Sequence, residues 1–287
     1  MGVHLPKERL DPKKRSLLWL EFVQDDLPKP WLAEHYRDIA RCLGCFNGTY
    51  LAGKPLPQEP WLSRRWLRKY IEIAAPNIQD LPALRKAPSF QAAYAPLGDG
   101  FILEAWERRE EFLSVLERLP QTLCHQDAFD GNLFWRRGAG GQGQVVGLDW
   151  AFTGIAAVGE ELAPLVTMAS IPMAGQHTSW MRFYEICLEG YLAGLADAGY
   201  TADPRLVRFS SLTTIFYRYF FGAALGEMWS VLRDERTHPM MAAAFNAPSV
   251  ESFFHLMAAN NLGLQEIYRA SSQLLTQFAT FWQQPKG

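Results

Sequence analysis

The chain has 287 residues, of which 48% are hydrophobic and 20% are charged, and its formal net charge is −2. This length allows one large domain or two smaller ones, and the composition is that of a soluble globular protein. The near-neutral charge provides no basic surface for nucleic acid, and no apolar run reaches the roughly 18–20 residues of a membrane span. We therefore expect neither nucleic acid nor a membrane as partner.

The first half of the chain predicts one buried strand followed by helices. Residues 16–23 form an apolar run of strand length between polar flanks. Apolar residues then recur every three or four positions over 31–50, as in an amphipathic helix. Further helices are predicted for 61–75 and 103–119. The proline-rich stretch 77–100 is interpreted as a loop with one short helix.

The second half predicts a β-hairpin and then more helices. Strands at 132–137 and 145–150 flank a glycine-rich link. This link lacks the Gly-Lys-Ser/Thr ending of a phosphate loop, so we interpret it as a hairpin turn. Helices are predicted beyond it at 161–169, 179–198, 203–233, 250–259 and 262–282.

The cellular compartment is indicated by the amino terminus and the cysteines. Residues 1–15 are polar and basic and contain no apolar stretch like that of a secretion signal. Cys42 and Cys45 form a C-x-x-C inside a helical pattern, without the second pair that a zinc site would need. We interpret the cysteines as packing residues in a reducing compartment and expect a cytoplasmic protein.

Polar residues suited to phosphoryl transfer surround the first hairpin strand. Asp127 lies two residues after His125, Asn132 lies five residues further on, and Asp149 ends an apolar run in the second strand. A carboxylate can accept the proton of an attacking hydroxyl, and amide and carboxylate oxygens are ligands that Mg²⁺ prefers. The pattern therefore indicates a phosphotransferase site with Asp127 as base and Asn132 and Asp149 on Mg²⁺.

The motif His-Gln-Asp-Ala-Phe-Asp-Gly-Asn at 125–132, followed by Leu-Asp-Trp at 148–150, resembles the aminoglycoside phosphotransferase / choline kinase-like family. These proteins are relatives of the protein kinases. The resemblance implies an α+β, mostly helical fold. It also implies a protein-kinase-like C-terminal lobe with a small β-hairpin at the active site.

The resemblance also implies a role for each residue of the motif. Asp127 would be the catalytic base, and Asn132 and Asp149 the metal ligands. His125 would be a structural member of the loop. Glu161 occupies a position where the family usually has Asp, and it would orient the loop.

The activity that the resemblance implies is transfer of the γ-phosphate of ATP or GTP to a hydroxyl group. The acceptor would be a small molecule that resembles an aminoglycoside, an aminoalcohol or a sugar. The helical carboxy-terminal region would form its pocket, which Glu160, Glu161, Glu185 or Glu227 could line. A mild excess of acidic residues after residue 150 is compatible with a cationic amino sugar.

The amino-terminal part of the resemblance covers a hinge and little else. Residues 17–23 resemble the hinge strand, with Glu21 and Val23 placed to offer backbone groups to adenine. We divide the chain into a remnant of the N-terminal lobe and hinge, 1–23, and a helical C-terminal lobe, 24–287. Only 16 residues precede the hinge strand, so the ATP-binding lobe is expected to be largely absent. A truncated frame, a separate N-lobe polypeptide and a degenerate family member remain open, and Mg·ATP binding by this chain alone is expected to be weak.

Two other function classes fit parts of the same pattern. A non-catalytic, truncated or regulatory kinase-like lobe would act by binding a partner. A metal-dependent hydrolase would use His125 and Asp127 as ligands, but the other histidines are scattered without ligand-like spacing. The phosphotransferase interpretation is preferred because it accounts for Asn132 and Asp149 together with Asp127.

Overall fold

The computed structural model describes residues 21–98, 100–137, 143–170 and 177–282. Helices make up most of these residues and two small antiparallel sheets lie among them, so the mostly helical α+β prediction is confirmed. The helices are α1 Ala33–Leu51, α2 Trp66–Ile71, α3 Ala75–Gln79, α4 Leu81–Leu84, α5 Pro88–Tyr94, α6 Phe101–Glu107, α7 Arg109–Leu116, α8 Leu162–Ser170, α9 His177–Asp197, α10 Pro204–Phe216, α11 Trp229–Leu232, α12 His238–Ala244 and α13 Val250–Trp282.

Each of the two sheets consists of one antiparallel pair of strands. The predicted hairpin is confirmed as β2, Leu133–Arg137, and β3, Gly143–Gly147. The other pair, β1 Gln121–Cys124 and β4 Gly154–Ala157, was not predicted. All four residues of β4 are buried, so its sequence lacks the alternation of apolar and polar residues that identifies a strand.

The interpretation of residues 77–100 as mostly loop is wrong. Three short helices, α3, α4 and α5, and a 3₁₀ turn run through residues 75–97. Each of these four segments carries a proline at its first or second position. Proline fits the first helical turn because the N–H that it lacks has no intrahelical partner there. These prolines therefore start helices instead of ending them.

Two long helical stretches also differ from the prediction. Residues 203–233 are helical as predicted, but Tyr217–Met228 form a π-helix between α10 and α11. The helices predicted at 250–259 and 262–282 are one continuous helix, α13. Asn261 does not interrupt it, because its side-chain amide donates to the carbonyl oxygen of Ala93 at 2.9 Å instead of competing with the helix backbone.

One hydrophobic core connects the described elements, and it extends from Trp31 before α1 to Phe278 in α13. α1 packs along α9, and α10 packs against α13. Among the helices that the structure describes, none combines the length and apolar character required to cross a membrane. Residues 17–20 of the predicted hinge strand lie outside the described residues, and residues 21–24 are not in a strand.

Candidate active site

The loop 125–132 joins β1 to β2. Asn47 of α1 holds the end of β1 from which this loop starts. The Asn47 side chain donates to the Leu123 carbonyl oxygen at 2.7 Å and accepts from the Tyr191 hydroxyl at 2.7 Å. Its backbone oxygen accepts from the Thr122 hydroxyl at 2.8 Å. Asn47, Thr122 and Tyr191 are fully buried, so the network fixes the end of β1 from which the loop starts.

Glu161 holds the first two residues of this loop. Its Oε2 accepts from the His125 backbone N–H at 2.7 Å, and its Oε1 accepts from the Gln126 N–H at 3.0 Å. Glu161 is fully buried, and burial raises the pKa of its carboxyl group. The side chain therefore satisfies two buried backbone donors that would otherwise have no acceptor.

His125 lies between the loop and the end of the hairpin. Its Nε2 is 2.8 Å from the Leu148 carbonyl oxygen, and its Nδ1 accepts from the Asp127 N–H at 3.3 Å. Donation to a carbonyl requires hydrogen on Nε2, so these contacts favour the neutral Nε2–H tautomer. The ring also packs against Trp150, with ring centroids 4.4 Å apart. His125 thus fixes the distance between the loop and the residue that precedes Asp149.

The Asp127 carboxylate is held at both oxygens. Oδ1 accepts from Arg218 Nη2 at 2.9 Å, and Oδ2 accepts from Asn132 Nδ2 at 2.9 Å. Arg218 Nη1 also donates to the Gln126 carbonyl. Gln126 has a φ of 64°, in the left-handed region that residues other than glycine rarely adopt. The bonds to its N–H and its carbonyl hold it in that conformation and set the direction in which Asp127 projects.

Asn132 and Asp149, the residues predicted to bind Mg²⁺, lie close together in the backbone. The backbone oxygen of Asn132 accepts from the Leu148 N–H at 2.9 Å, which places the start of β2 beside the residue before Asp149. Asn132 uses its amide nitrogen to bind Asp127, so these bonds do not consume its amide oxygen. Asp149 is exposed, and its carboxylate has one long contact, 3.4 Å, to the Ala151 N–H. Both side chains therefore offer a hard oxygen to Mg²⁺, although the described residues contain no group of three or more His, Cys, Asp or Glu that could hold a metal.

The residues predicted to bind adenine belong to a segment that lies along β2. Glu21 is exposed and accepts from Arg136 of β2 at 3.1 Å, and Val23 is half-buried. The following residues attach this segment to β2, because the Asp26 N–H donates to the Trp135 carbonyl at 2.8 Å. Glu21 and Val23 thus lie beside the strand that follows Asn132.

Comparison with known proteins shows which family the chain belongs to. A model of the phosphotransferase enzyme family matches residues 17–204, which is more than half of the chain. The chain belongs to the phosphotransferase enzyme family. The resemblance inferred from residues 125–132 and 148–150 is thereby confirmed. No curated protein and no solved structure matches the chain.

One residue of the candidate site, Arg218, was not predicted from the sequence. Arg218 lies 91 positions from Asp127, in a helical stretch whose apolar character it interrupts. It is 9% exposed, and its guanidinium group also lies 4.7 Å from the centroid of the Trp66 ring. A charged side chain in the middle of an apolar helix must find a counter-charge when the helix is buried. The sequence therefore indicates that Arg218 needs a counter-charge, but it does not identify the carboxylate that provides it.

Proposed function

We propose that this phosphotransferase moves the γ-phosphate of ATP or GTP to a hydroxyl group of a small molecule. The observation that supports this most directly is the position of Asp127. Its carboxylate is fixed by Arg218 on one side and by Asn132 on the other, and its side chain is still 19% exposed. A held but accessible carboxylate can orient an acceptor hydroxyl and receive its proton during attack on the phosphate.

The other residues of the site have supporting roles in this proposal. Asn132 and Asp149 would hold Mg²⁺ through their side-chain oxygens, and Glu161 and His125 would keep the loop in place. When bound, Mg²⁺ would neutralise charge on the phosphate oxygens. Glu21 and Val23 would contact the adenine or guanine base through their backbone groups. The protein supplies mainly positioning and charge, which is what phosphoryl transfer requires.

The test is phosphate transfer by the full chain with ATP or GTP, Mg²⁺ and a panel of hydroxylated small molecules, followed by ³¹P NMR. Asp127→Asn should reduce turnover by at least about 10²-fold, because it removes the base and keeps the shape of the side chain. Asp130→Asn is the matched control, since it is the same substitution three positions away in the same loop. It should retain turnover.

The outcomes separate the proposal from its alternative. Full turnover in Asp127→Asn, with an unchanged far-ultraviolet circular dichroism spectrum, would contradict the assignment of the base. If the wild-type chain transfers phosphate to no member of the panel from either nucleotide, two descriptions remain: a non-catalytic lobe that binds a partner, and a lobe whose activity requires a separate N-lobe polypeptide.

A further inference from the structure

A cavity of about 240 Å³ lies between α8, the π-helix and α13. Most of its wall is apolar and includes Met168, Met228, Phe245 and Met257. Among the described residues, those that line this cavity include no Asp, Glu, Lys or Arg. A void lined in this way favours an apolar occupant, since methionine side chains adapt to irregular apolar shapes and a bare charge would lose its hydration there.

Tyr219 connects the wall of the cavity to Arg218, the residue that binds Asp127. Tyr219 lines the cavity, and its ring centroid is 5.4 Å from the guanidinium carbon of Arg218, which binds Asp127. Burial raises the pKa of Tyr219 to about 12, and the charges of Arg218 and Asp127 act on it in opposite directions. The Tyr219 hydroxyl oxygen is buried and has no hydrogen-bond partner among the described residues. It is therefore a buried polar group beside the cavity whose hydrogen-bonding capacity no described residue uses.

The four glutamates that could line an acceptor pocket have partners elsewhere. Glu160 accepts from the Ala157 N–H at 2.8 Å, and Glu161 holds the loop. Two further acidic residues have other partners as well: Glu185 pairs with Arg208, and Glu227 interacts with Tyr70. None of these four glutamates lines the cavity.

We propose that this cavity binds the apolar body of the acceptor, and that the preferred acceptor is a neutral alcohol with a bulky apolar group instead of a polycationic amino sugar. This inference rests on the proposed function. The Tyr219 hydroxyl would hydrogen-bond a polar atom of the acceptor, and the reacting hydroxyl would point to Asp127. An engineered cavity of about 150 Å³ in another protein takes benzene, so 240 Å³ suits a bicyclic aromatic group.

Binding to the full chain without nucleotide tests the cavity by itself. The probes are naphthylethanol, a neutral alcohol with a bicyclic body, and tobramycin, a polycationic amino sugar, and the measurement is isothermal titration calorimetry. Ala223→Phe fills the cavity and should weaken naphthylethanol binding at least about 10-fold, because it occupies the same volume. Tyr219→Phe keeps the ring and should weaken binding roughly 5-fold through the lost hydrogen bond.

A second cavity provides matched controls. It also measures about 240 Å³, and Tyr94 and Ala95 line it. The Tyr94 hydroxyl is likewise buried without a partner among the described residues. Tyr94→Phe and Ala95→Phe therefore repeat both substitutions in a cavity that the proposal does not use. They should leave naphthylethanol binding unchanged.

The outcomes distinguish this inference from the proposed function. If naphthylethanol binds and is phosphorylated, and if Ala223→Phe and Tyr219→Phe weaken its binding, both the inference and the proposed function are supported. Phosphorylation of tobramycin without naphthylethanol binding overturns the inference and leaves the function in place. If the control variants Tyr94→Phe and Ala95→Phe weaken naphthylethanol binding as much as Tyr219→Phe and Ala223→Phe do, the inference is also overturned. If Ala223→Phe does not fold, Tyr219→Phe decides alone. If naphthylethanol binds but is not phosphorylated, the acceptor role of the cavity fails, and the proposed function is decided by the wider panel of hydroxylated molecules.

Discussion

The ion pair between Asp127 and Arg218 joins the loop 125–132 to the π-helix in a place with little water. The two side chains are 19% and 11% exposed, and their charged atoms are 2.9 Å apart. An ion pair in such a place adds less stability than its attraction suggests, because both charges have lost hydration. Removing one partner is costly, since the other charge stays buried alone. Arg218 therefore acts by positioning Asp127 and the carbonyl of Gln126.

Arg218→Met should reduce both turnover and stability. We expect a loss of about 2 kcal/mol in the free energy of unfolding, because Asp127 is left without its counter-charge. Turnover should fall at least about 10-fold at saturating substrate through misorientation of the carboxylate. Urea unfolding and kcat measure the two effects.

Arg208→Met is the control, because it breaks a more exposed pair with Glu185. It should cost no more than about 1 kcal/mol and leave kcat unchanged, and equal effects of the two substitutions would contradict a positioning role for Arg218.

Glu160 makes the stability of the protein depend on pH. Burial raises the pKa of this carboxyl group from 4.5 to about 7. Between these two values the folded protein binds more protons than the unfolded chain, so the stability from this group falls as pH rises. The contribution is complete below pH 4.5 and is lost as pH passes 7.

The corresponding prediction compares wild type with Glu160→Gln, which stays neutral at every pH. The free energy of unfolding of the wild type, relative to this variant, should fall by about 2 kcal/mol between pH 5 and pH 8. Urea unfolding at several pH values measures this difference. Parallel pH profiles of the two proteins would show that Glu160 is ionised in the folded protein across the whole range.

Sequence reasoning found the residues of the site that are close together in the chain. Asp127 and Asn132 were paired by spacing, and the structure places their side chains in contact at 2.9 Å. Their catalytic and metal-binding roles stay predictions. Arg218 could not be assigned to Asp127 in advance, because 91 residues separate them and only tertiary packing brings the π-helix to the loop.

The packing of α1 along α9 depends on glycines. A Cβ atom at Gly194 would overlap the carbonyl oxygen of Arg41, and one at Gly44 would overlap the carbonyl oxygen of Tyr191. The two helix backbones therefore approach each other more closely than any side chain would permit. This approach also places Asn47 beside β1, where it holds the start of the loop 125–132.

Gly194→Ala should separate these helices. Backbone atoms cannot move aside as a flexible side chain can, so we expect a loss of about 3 kcal/mol in the free energy of unfolding. Gly263→Ala in α13 is the control, because a Cβ atom there meets nothing within 4 Å. It should gain roughly 0.5–1 kcal/mol through higher helix propensity. Thermal and urea unfolding distinguish the two, and a stable Gly194→Ala variant would show that the crossing can widen without cost.

The elements predicted well are those whose identity is decided by local pattern. The repeat of apolar residues gave α1, and the glycine-rich link gave the β2–β3 hairpin. The short helices of residues 75–97 were missed because proline was interpreted only as a helix breaker. The β1–β4 pair was missed because a short, fully buried strand has no period of its own and is defined by a partner about thirty residues away.

The described part of the chain is organised around one core. The same hydrophobic cluster contains Tyr36 of α1, Leu133 at the start of β2, and Trp229, which is 1% exposed. The candidate active site lies on elements of this cluster, because Asp127 precedes Ala128 and Leu133, which both belong to it. A disturbance of the α1–α9 crossing should therefore reach the loop through the core as well as through Asn47.

A single core predicts a single unfolding transition. Far-ultraviolet circular dichroism follows the helices, and tryptophan fluorescence follows buried indoles such as Trp229. Their urea transitions should have the same midpoint, because no group of the described elements has a separate core that could remain folded alone. Gly194→Ala should shift both midpoints equally, although Trp229 is not part of the α1–α9 crossing. Two separate midpoints, or a shift in only one signal, would show that the helices beyond α9 fold as an independent unit, and Asp127 and Arg218 would then belong to parts that can separate.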